Sequence, residues 1–208
     1  MRKSKFGIGC LGVVVIIVII VVIGYNFFKG AYNKFVTLDE QVNGSWAQVE
    51  NVLQRRMDLI PNLVETVKGY AAHERETLEA VINARSKATQ VQVNAGELAN
   101  NPELLNQYME AQNGLSSALS RLMVVVEQYP DLKANQNFIR LQDELAGTEN
   151  RIAVERRRFN ETVQAYNQHI RVFPNNILAG LFNFDKRAYF EAPAEAEQAP
   201  KVDFSTSG

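Results

Sequence analysis

The side chains best equipped for chemistry form two charged blocks. Gln54, Arg55, Arg56, Met57 and Asp58 are consecutive, and Glu149, Arg151, Glu155, Arg156, Arg157 and Arg158 crowd into residues 149–158. The first block lies in the apolar seam of one helix, and in the second the apolar repeat skips a position between Ile152 and Phe159, where Glu155 or Arg156 must fall. A charge there is costly without a partner. The planar fork of an arginine holds a carboxylate bidentately. Arg55 or Arg56 facing Glu149 or Glu155 is therefore predicted as an inter-helical register device. The competing reading makes the same charges, with Asp58, Arg151 and Arg156, a patch for a partner. Arg156, Arg157 and Arg158 also suit a solvated basic face or an anionic lipid surface.

Other chemistry finds little footing. His73 precedes Glu74, but no second histidine completes H-E-x-x-H, and it reads as a solvated helix end. His169 falls in the last turns of a helix, where a cation complements the dipole. No E-x-x-H pair of the kind used by di-iron bundles occurs. Cys10 is the one cysteine, which excludes an internal disulfide and a cysteine-based zinc site. There is no G-x-S-x-G and no Walker A; residues 7–12 match G-x-G-x-x-G, but no strand precedes them. The expectation is a protein that is not an enzyme and carries no cofactor or metal. A net charge of −1 argues against nucleic acid as a partner.

The elements that must position the charged blocks begin with a membrane segment. The 23 residues from Phe6 to Phe28 carry no charge, and Val13 to Ile23 is all valine and isoleucine. As a helix this run spans roughly 35 Å, enough for a hydrocarbon core of about 30 Å. Tyr25, Phe27 and Phe28 fit an interfacial belt. The stretch 24–31 lacks convincing small residues for signal cleavage, and Cys10 stands before most of the apolar run, where a lipoprotein cysteine would follow it. Arg2, Lys3 and Lys5 crowd the N-terminus, whereas Lys29 and Lys34 are soon offset by Asp39 and Glu40. The positive-inside rule then puts the N-terminus in the cytoplasm and the rest across the membrane.

Beyond the anchor the pattern is helical. Phe35, Leu38, Val42, Trp46, Val49, Leu53, Met57, Ile60, Leu63 and Val67 recur at spacings of three and four. Nothing breaks the chain between anchor and this first helix, although Pro61 is predicted to kink it. A second helix is predicted over about 74–91, a loop over 92–101, and a third helix from Pro102 to about residue 128 with Asn101 as its cap. A turn at 129–132 leads to a fourth helix over about 137–172, whose seam runs Phe138, Leu141, Leu145, Thr148, Ile152, Phe159, Val163, Tyr166, Ile170 and Phe173. Gln112 and Thr148 are polar seam positions, read as register-setting core hydrogen bonds. Residues 177–184 are expected to fold back on the bundle. The composition of 191–208 is that of a disordered tail. The fold class expected is all-α: a transmembrane helix at 6–28, after a basic N-terminus at 1–5, continues into an antiparallel, coiled-coil-like bundle over 29–190.

Several blocks of the sequence resemble the LemA family: WAQV at 46–49, QRRMDLIPNLVETVKGY at 54–70, ARS at 84–86, EQYPDLKAN at 127–135, GTENRIAV at 147–154 and RRFN at 157–160. Phe173, Pro174, Asn175 and Asn176, the stretch AGLF at 179–182 and YFE at 189–191 extend the match, which covers about 25–191. Phe159 stands where the family pattern leads one to expect tyrosine. The resemblance implies a bacterial protein with one N-terminal membrane helix and a bundle of long antiparallel helices, without an established enzymatic activity. It also implies a membrane protease as a partner, and a link to membrane organisation through a magnetosome member. The function expected is thus a non-enzymatic, membrane-anchored scaffold or adaptor of the bacterial inner membrane, acting on the bilayer, on a protein partner or on copies of itself. The alternatives are a ligand-binding envelope sensor and a hydrolase whose site is not recognisable.

Overall fold

A computed structural model describes residues 4–91 and 101–190. Residues 1–3, nearly all of the predicted loop and the predicted tail lie outside the described residues. The helices are α1 (Ser4–Lys68), α2 (Arg75–Gln90), α3 (Pro102–Val126), α4 (Pro130–Lys133), α5 (Gln136–Arg171) and α6 (Asn175–Phe182). Helix makes up 86% of the described residues, and no strand occurs among them, which gives the expected all-α class.

Helix α1 is one element of 65 residues. Its first part is long and apolar enough to cross a membrane, with a mean hydropathy of 2.4 in an 18-residue window. Every residue from Val13 to Ile23 is exposed there, whereas Phe35 is fully buried and starts a seam in which every predicted apolar position is buried. One backbone thus passes from an exposed apolar run to a stripe buried in a protein core.

The pairing of rings and charges gives the topology. Phe35 meets His169 at 5.3 Å, Trp46 meets Phe159 at 5.7 Å, and Arg56 reaches Glu149 at 2.9 Å, so α5 runs antiparallel to α1. Trp46 also meets Tyr108 at 5.6 Å and Arg56 bonds Ser116, so α3 runs parallel to α1. With α2 descending between them, α1, α2, α3 and α5 make an up-down-up-down bundle. The core forms two apolar clusters. One, around Phe35, Trp46, Phe159 and Tyr166, lies toward the apolar N-terminal part of α1; the other, around Ile60, Leu115, Leu122 and Phe138, lies at the far end.

Local chemistry sets the helix limits. The Asn101 side chain accepts from the backbone N–H groups of Glu103 and Leu104, and Asn135, a cap the sequence reading did not single out, accepts from Asn137 and Phe138. Pro102 and Pro130 occupy first turns, where a missing N–H costs nothing. The predicted turn at 129–132 is in fact the short helix α4. Pro61 leaves the Met57 carbonyl without its intrahelical donor. Arg85 of α2 supplies one, its Nε donating to the Met57 carbonyl at 3.0 Å. Phe173 departs from its expected seam position: α5 ends at Arg171, the chain turns away, and the ring is 81% exposed.

After α6, Asn183 takes the left-handed conformation that ends the helix, at φ 58°. The chain then returns, extended, along α1 and α5. Asn167 Nδ2 donates to the Arg187 carbonyl and its Oδ1 accepts from the Arg187 N–H, both at 2.9 Å. Asn160 does the same for Phe190, at 2.9 and 2.8 Å. Two asparagines one heptad apart thus give an extended segment the hydrogen bonds a strand would otherwise provide. Phe190 stacks on Trp46 at 5.6 Å, and Arg187 pairs with Asp39 of α1.

Candidate functional site

Three of the four buried polar side chains among the described residues gather at one level, the fourth being Asn167 beside the returning segment. Arg56, Gln112 and Thr148 are buried between the two apolar clusters, and they come from α1, α3 and α5. Arg56 is 1% exposed. Its Nη1 donates to Ser116 Oγ at 3.1 Å and to Glu149 Oε2 at 2.9 Å, and its Nη2 donates to Gln112 Oε1. Three helices therefore meet on one guanidinium, whose planar fork spreads its donors over two nitrogens in fixed directions. Thr148 makes no inter-helical bond; its hydroxyl donates to the Glu144 carbonyl of its own helix at 2.7 Å, and the expected register role belongs to Gln112 alone.

The pair is lopsided. The Glu149 side chain is 54% exposed, so one buried cation faces a carboxylate that stands half in water. Arg156 lies in the same neighbourhood, its guanidinium 5.5 Å from the Phe190 ring centre. Burial, and then the charge of Arg56, push the Arg156 pKa down from its ordinary value. The Arg56 and Arg156 Nε groups are both buried and have no hydrogen-bond partner. Tyr108 on α3, chiefly through burial, is pushed up to about 12 and keeps its proton at neutral pH.

A groove opens over this cluster between α3 and α5, which pack on each other far less closely than α1 packs on α5. Its volume is about 330 Å³; Leu119, Met123 and Leu145 line its apolar part, and Arg56, Ser116 and Glu149 its polar part. The arrangement presents fixed donors and apolar surface. Neither a histidine nor a cysteine is among the residues that line the groove.

The remaining predicted charges are placed elsewhere. Arg55 is exposed and pairs with Glu144 at 3.7 Å, a carboxylate the sequence reading did not consider. Asp58 is exposed and accepts from Gln54 at 2.8 Å. Arg151 is exposed, beside Arg55, Arg140 and Asp143 around a shallow hollow. Glu155 does not reach α1; it pairs with Arg158 of its own helix at 2.9 Å. Arg157 faces Glu161 at 3.8 Å on the solvent side. His169 lies in the last turn of its helix, as expected, half-buried against Phe35; burial and then Lys34 lower its pKa, which disfavours the charged form there. Among the described residues no group of three or more His, Cys, Asp and Glu side chains is placed to hold a metal ion. Ser116 and Asp39 were missed by the sequence reading, because neither stands out by type or spacing.

Comparison with known proteins matches residues 45–204 to the LemA family. The chain is similar to the magnetosome protein MamQ 2 of Paramagnetospirillum magneticum, 31% identical over 183 residues, and to MamQ of Magnetospirillum gryphiswaldense, 30% identical over 179 residues. Each alignment covers 78% of this chain and 66% of the relative, so the chain spans just under two thirds of the length of those proteins. Protein LemA of Metamycoplasma hominis is 24% identical over 185 residues, covering 89% of this chain and 78% of that protein. The matched region takes in the whole bundle from Ser45, the Arg56 cluster and the returning segment, and the chain belongs to the LemA family.

Proposed function

We propose that this protein is a membrane-anchored helical scaffold or adaptor without catalytic activity, in the inner membrane of a bacterium. Its N-terminus lies in the cytoplasm and its bundle on the other side. The observation that carries this reading is the continuity of α1: exposed Val13 to Ile23 and buried Phe35 to Val67 belong to a single helix. Relatives named as magnetosome proteins are named for a structure rather than a reaction, which supports the same role. The groove over Arg56 is the surface offered to a protein partner, a membrane protease or a second copy of the chain being the candidates. The test is crosslinking in native membranes from a photoreactive residue at Leu119, followed by mass spectrometry. Recovery of a protein crosslinked at this groove supports the adaptor, and labelling by solvent alone overturns it.

The Arg56 guanidinium that lines the groove, its Nε without a partner, favours one second reading, a sensor of an anionic ligand. Native mass spectrometry of the detergent-extracted protein separates the two, since a sensor retains a small molecule that is lost from Arg56→Met.

A further inference from the structure

We infer that the face of α6 opposite the bundle lies in the lipid headgroup region, so that the protein meets its membrane twice, through α1 and through α6. The inference rests on the reading of α1 as membrane-spanning. Phe173 precedes α6, and Ile177 and Leu181, one turn apart on it, form an apolar stripe. The three are 81%, 61% and 66% exposed, the most exposed large apolar side chains of the bundle beside Val124. Leu178 and Ala179, on the opposite side of the same helix, are buried in the cluster nearest the anchor. A short helix with one face in a protein core and two large aliphatic side chains, Ile177 and Leu181, on the other is out of place in water.

Its location accounts for it. Phe182 packs edge-on against Tyr32 at 5.1 Å, and Phe184 against Tyr32 and Phe35 at 6.0 and 5.1 Å. Tyr32 stands four residues beyond Phe28, the end of the uncharged run, which is about 6 Å of helix rise. The bonds of Asn175 to His169 hold the start of α6 against the end of α5. The stripe therefore sits at the level where α1 leaves the hydrocarbon, beside Phe27 and Phe28. The exposed charges around it are Lys29, Lys34, Arg171 and Lys186 against Glu40 and Asp185, while Asp39 is paired with Arg187. Apolar side chains at that depth with a basic surround match a bilayer interface carrying anionic headgroups. A soluble partner would have to approach between the bundle and the membrane to reach the same face.

The test uses the full chain with Cys10→Ser, reconstituted in vesicles of phosphatidylcholine and phosphatidylglycerol. An environment-sensitive fluorophore is placed in turn at Ile177→Cys, Leu181→Cys, Val124→Cys and Ile17→Cys, and is quenched by lipids spin-labelled near the headgroup or along the chain. Val124, 68% exposed on α3, is the distant control, and Ile17 marks the span. Headgroup-level quenching at 177 and 181 is expected to exceed that at 124 by about threefold or more, with a blue-shifted emission. Quenching at 17 with none above the Val124 level at 177 and 181 overturns this inference and leaves the anchor intact. No quenching at 17 overturns the membrane reading itself. Probes at 177 and 181 that are shielded from both lipid quenchers and aqueous iodide identify a second copy on the stripe, and that also overturns the inference. The combined change Phe173→Ser, Ile177→Ser and Leu181→Ser is expected to leave thermal melting of the bundle in detergent unchanged while lowering headgroup-level quenching of a probe at Gly180→Cys to the Val124 level.

Discussion

Replacing Arg56 tests whether the cluster between the two cores holds the fold together. The side chain is 1% exposed and meets Gln112, Ser116 and Glu149 on two other helices. Arg56→Ala removes a buried stem and leaves Gln112, 2% exposed, with an unpaired carbonyl oxygen. An orphaned buried acceptor costs about 1–3 kcal/mol, and with the lost packing the total comes to about 3–5 kcal/mol. Arg56→Met keeps most of the packing and is expected to cost about 1–3 kcal/mol. Glu149 behaves differently because its side chain is half in water: Glu149→Ala leaves Arg56 two protein partners and the open groove, and costs about 1 kcal/mol. The double change then falls short of the sum by about 1 kcal/mol. Trp46, the single tryptophan and 2% exposed, reports unfolding directly in denaturant melts of the detergent-solubilised protein. Near-neutral single changes with strict additivity would refute the structural role and leave the cluster to serve only a partner.

Other expectations follow from the same coordinates. Ile152→Ala and Leu141→Ala, 1% and 8% exposed, are expected to cost about 2–4 kcal/mol each, against at most about 0.5 kcal/mol for exposed Asp143→Ala; equal losses at all three sites in denaturant melts would contradict the seam. Asn160→Ala and Asn167→Ala are expected to free the returning segment, with hydrogen exchange at the Phe190 and Arg187 amides accelerating while α1 stays protected; unchanged protection would contradict the clamp. Arg85→Ala is expected to cost about 1–2 kcal/mol beside Pro61, and much less in a Pro61→Ala background that restores the donor to Met57; an equal cost in both backgrounds goes against the explanation. Tyr108, whose ordinary pKa is 10.0 and whose folded value is about 12, binds its proton more tightly when folded. Its contribution is full below pH 10 and is lost as pH rises toward 12, so alkaline melts of Tyr108→Phe should show a shallower decline than the parent over that window. Parallel curves would remove the basis for it.

The seam was legible because a helix that buries one stripe must repeat apolar residues at three and four, and from Phe35 to Val67 α1 does so without exception. The same rule misplaced Phe173, since periodicity carries no information about where the chain turns out of the bundle. The choice between Glu149 and Glu155 was equally closed to it. Six residues separate them, about 9 Å of rise, and which one meets Arg56 depends on the register that Trp46 and Phe159 fix across the interface. Pro61 announced a carbonyl without a donor, but the donor is an arginine on another helix. The asparagine clamp was the least visible feature: its partner is an extended segment held by backbone groups, which leave no residue pattern of their own.

On the proposed reading, the unbroken α1 makes the bundle and the anchor one rigid lever. A helix turns about 100° per residue, so the phase between the lipid-facing run and the seam at Phe35 fixes which side of the bundle looks toward the membrane. The seam draws α5 to one side of α1, the end of α5 delivers α6 beside Tyr32, and the stripe of Ile177 and Leu181 then has a single direction to face. The groove over Arg56 lies farther along the same helix: 28 residues beyond Phe28, or about 42 Å if α1 stood along the membrane normal. Rotation of α1 would be opposed twice, by the burial of α6 side chains in the interface and by the basic residues around them. Such a protein holds its groove at a set height and bearing above the bilayer. That is the property a scaffold needs, and a hinge between anchor and bundle would forfeit it.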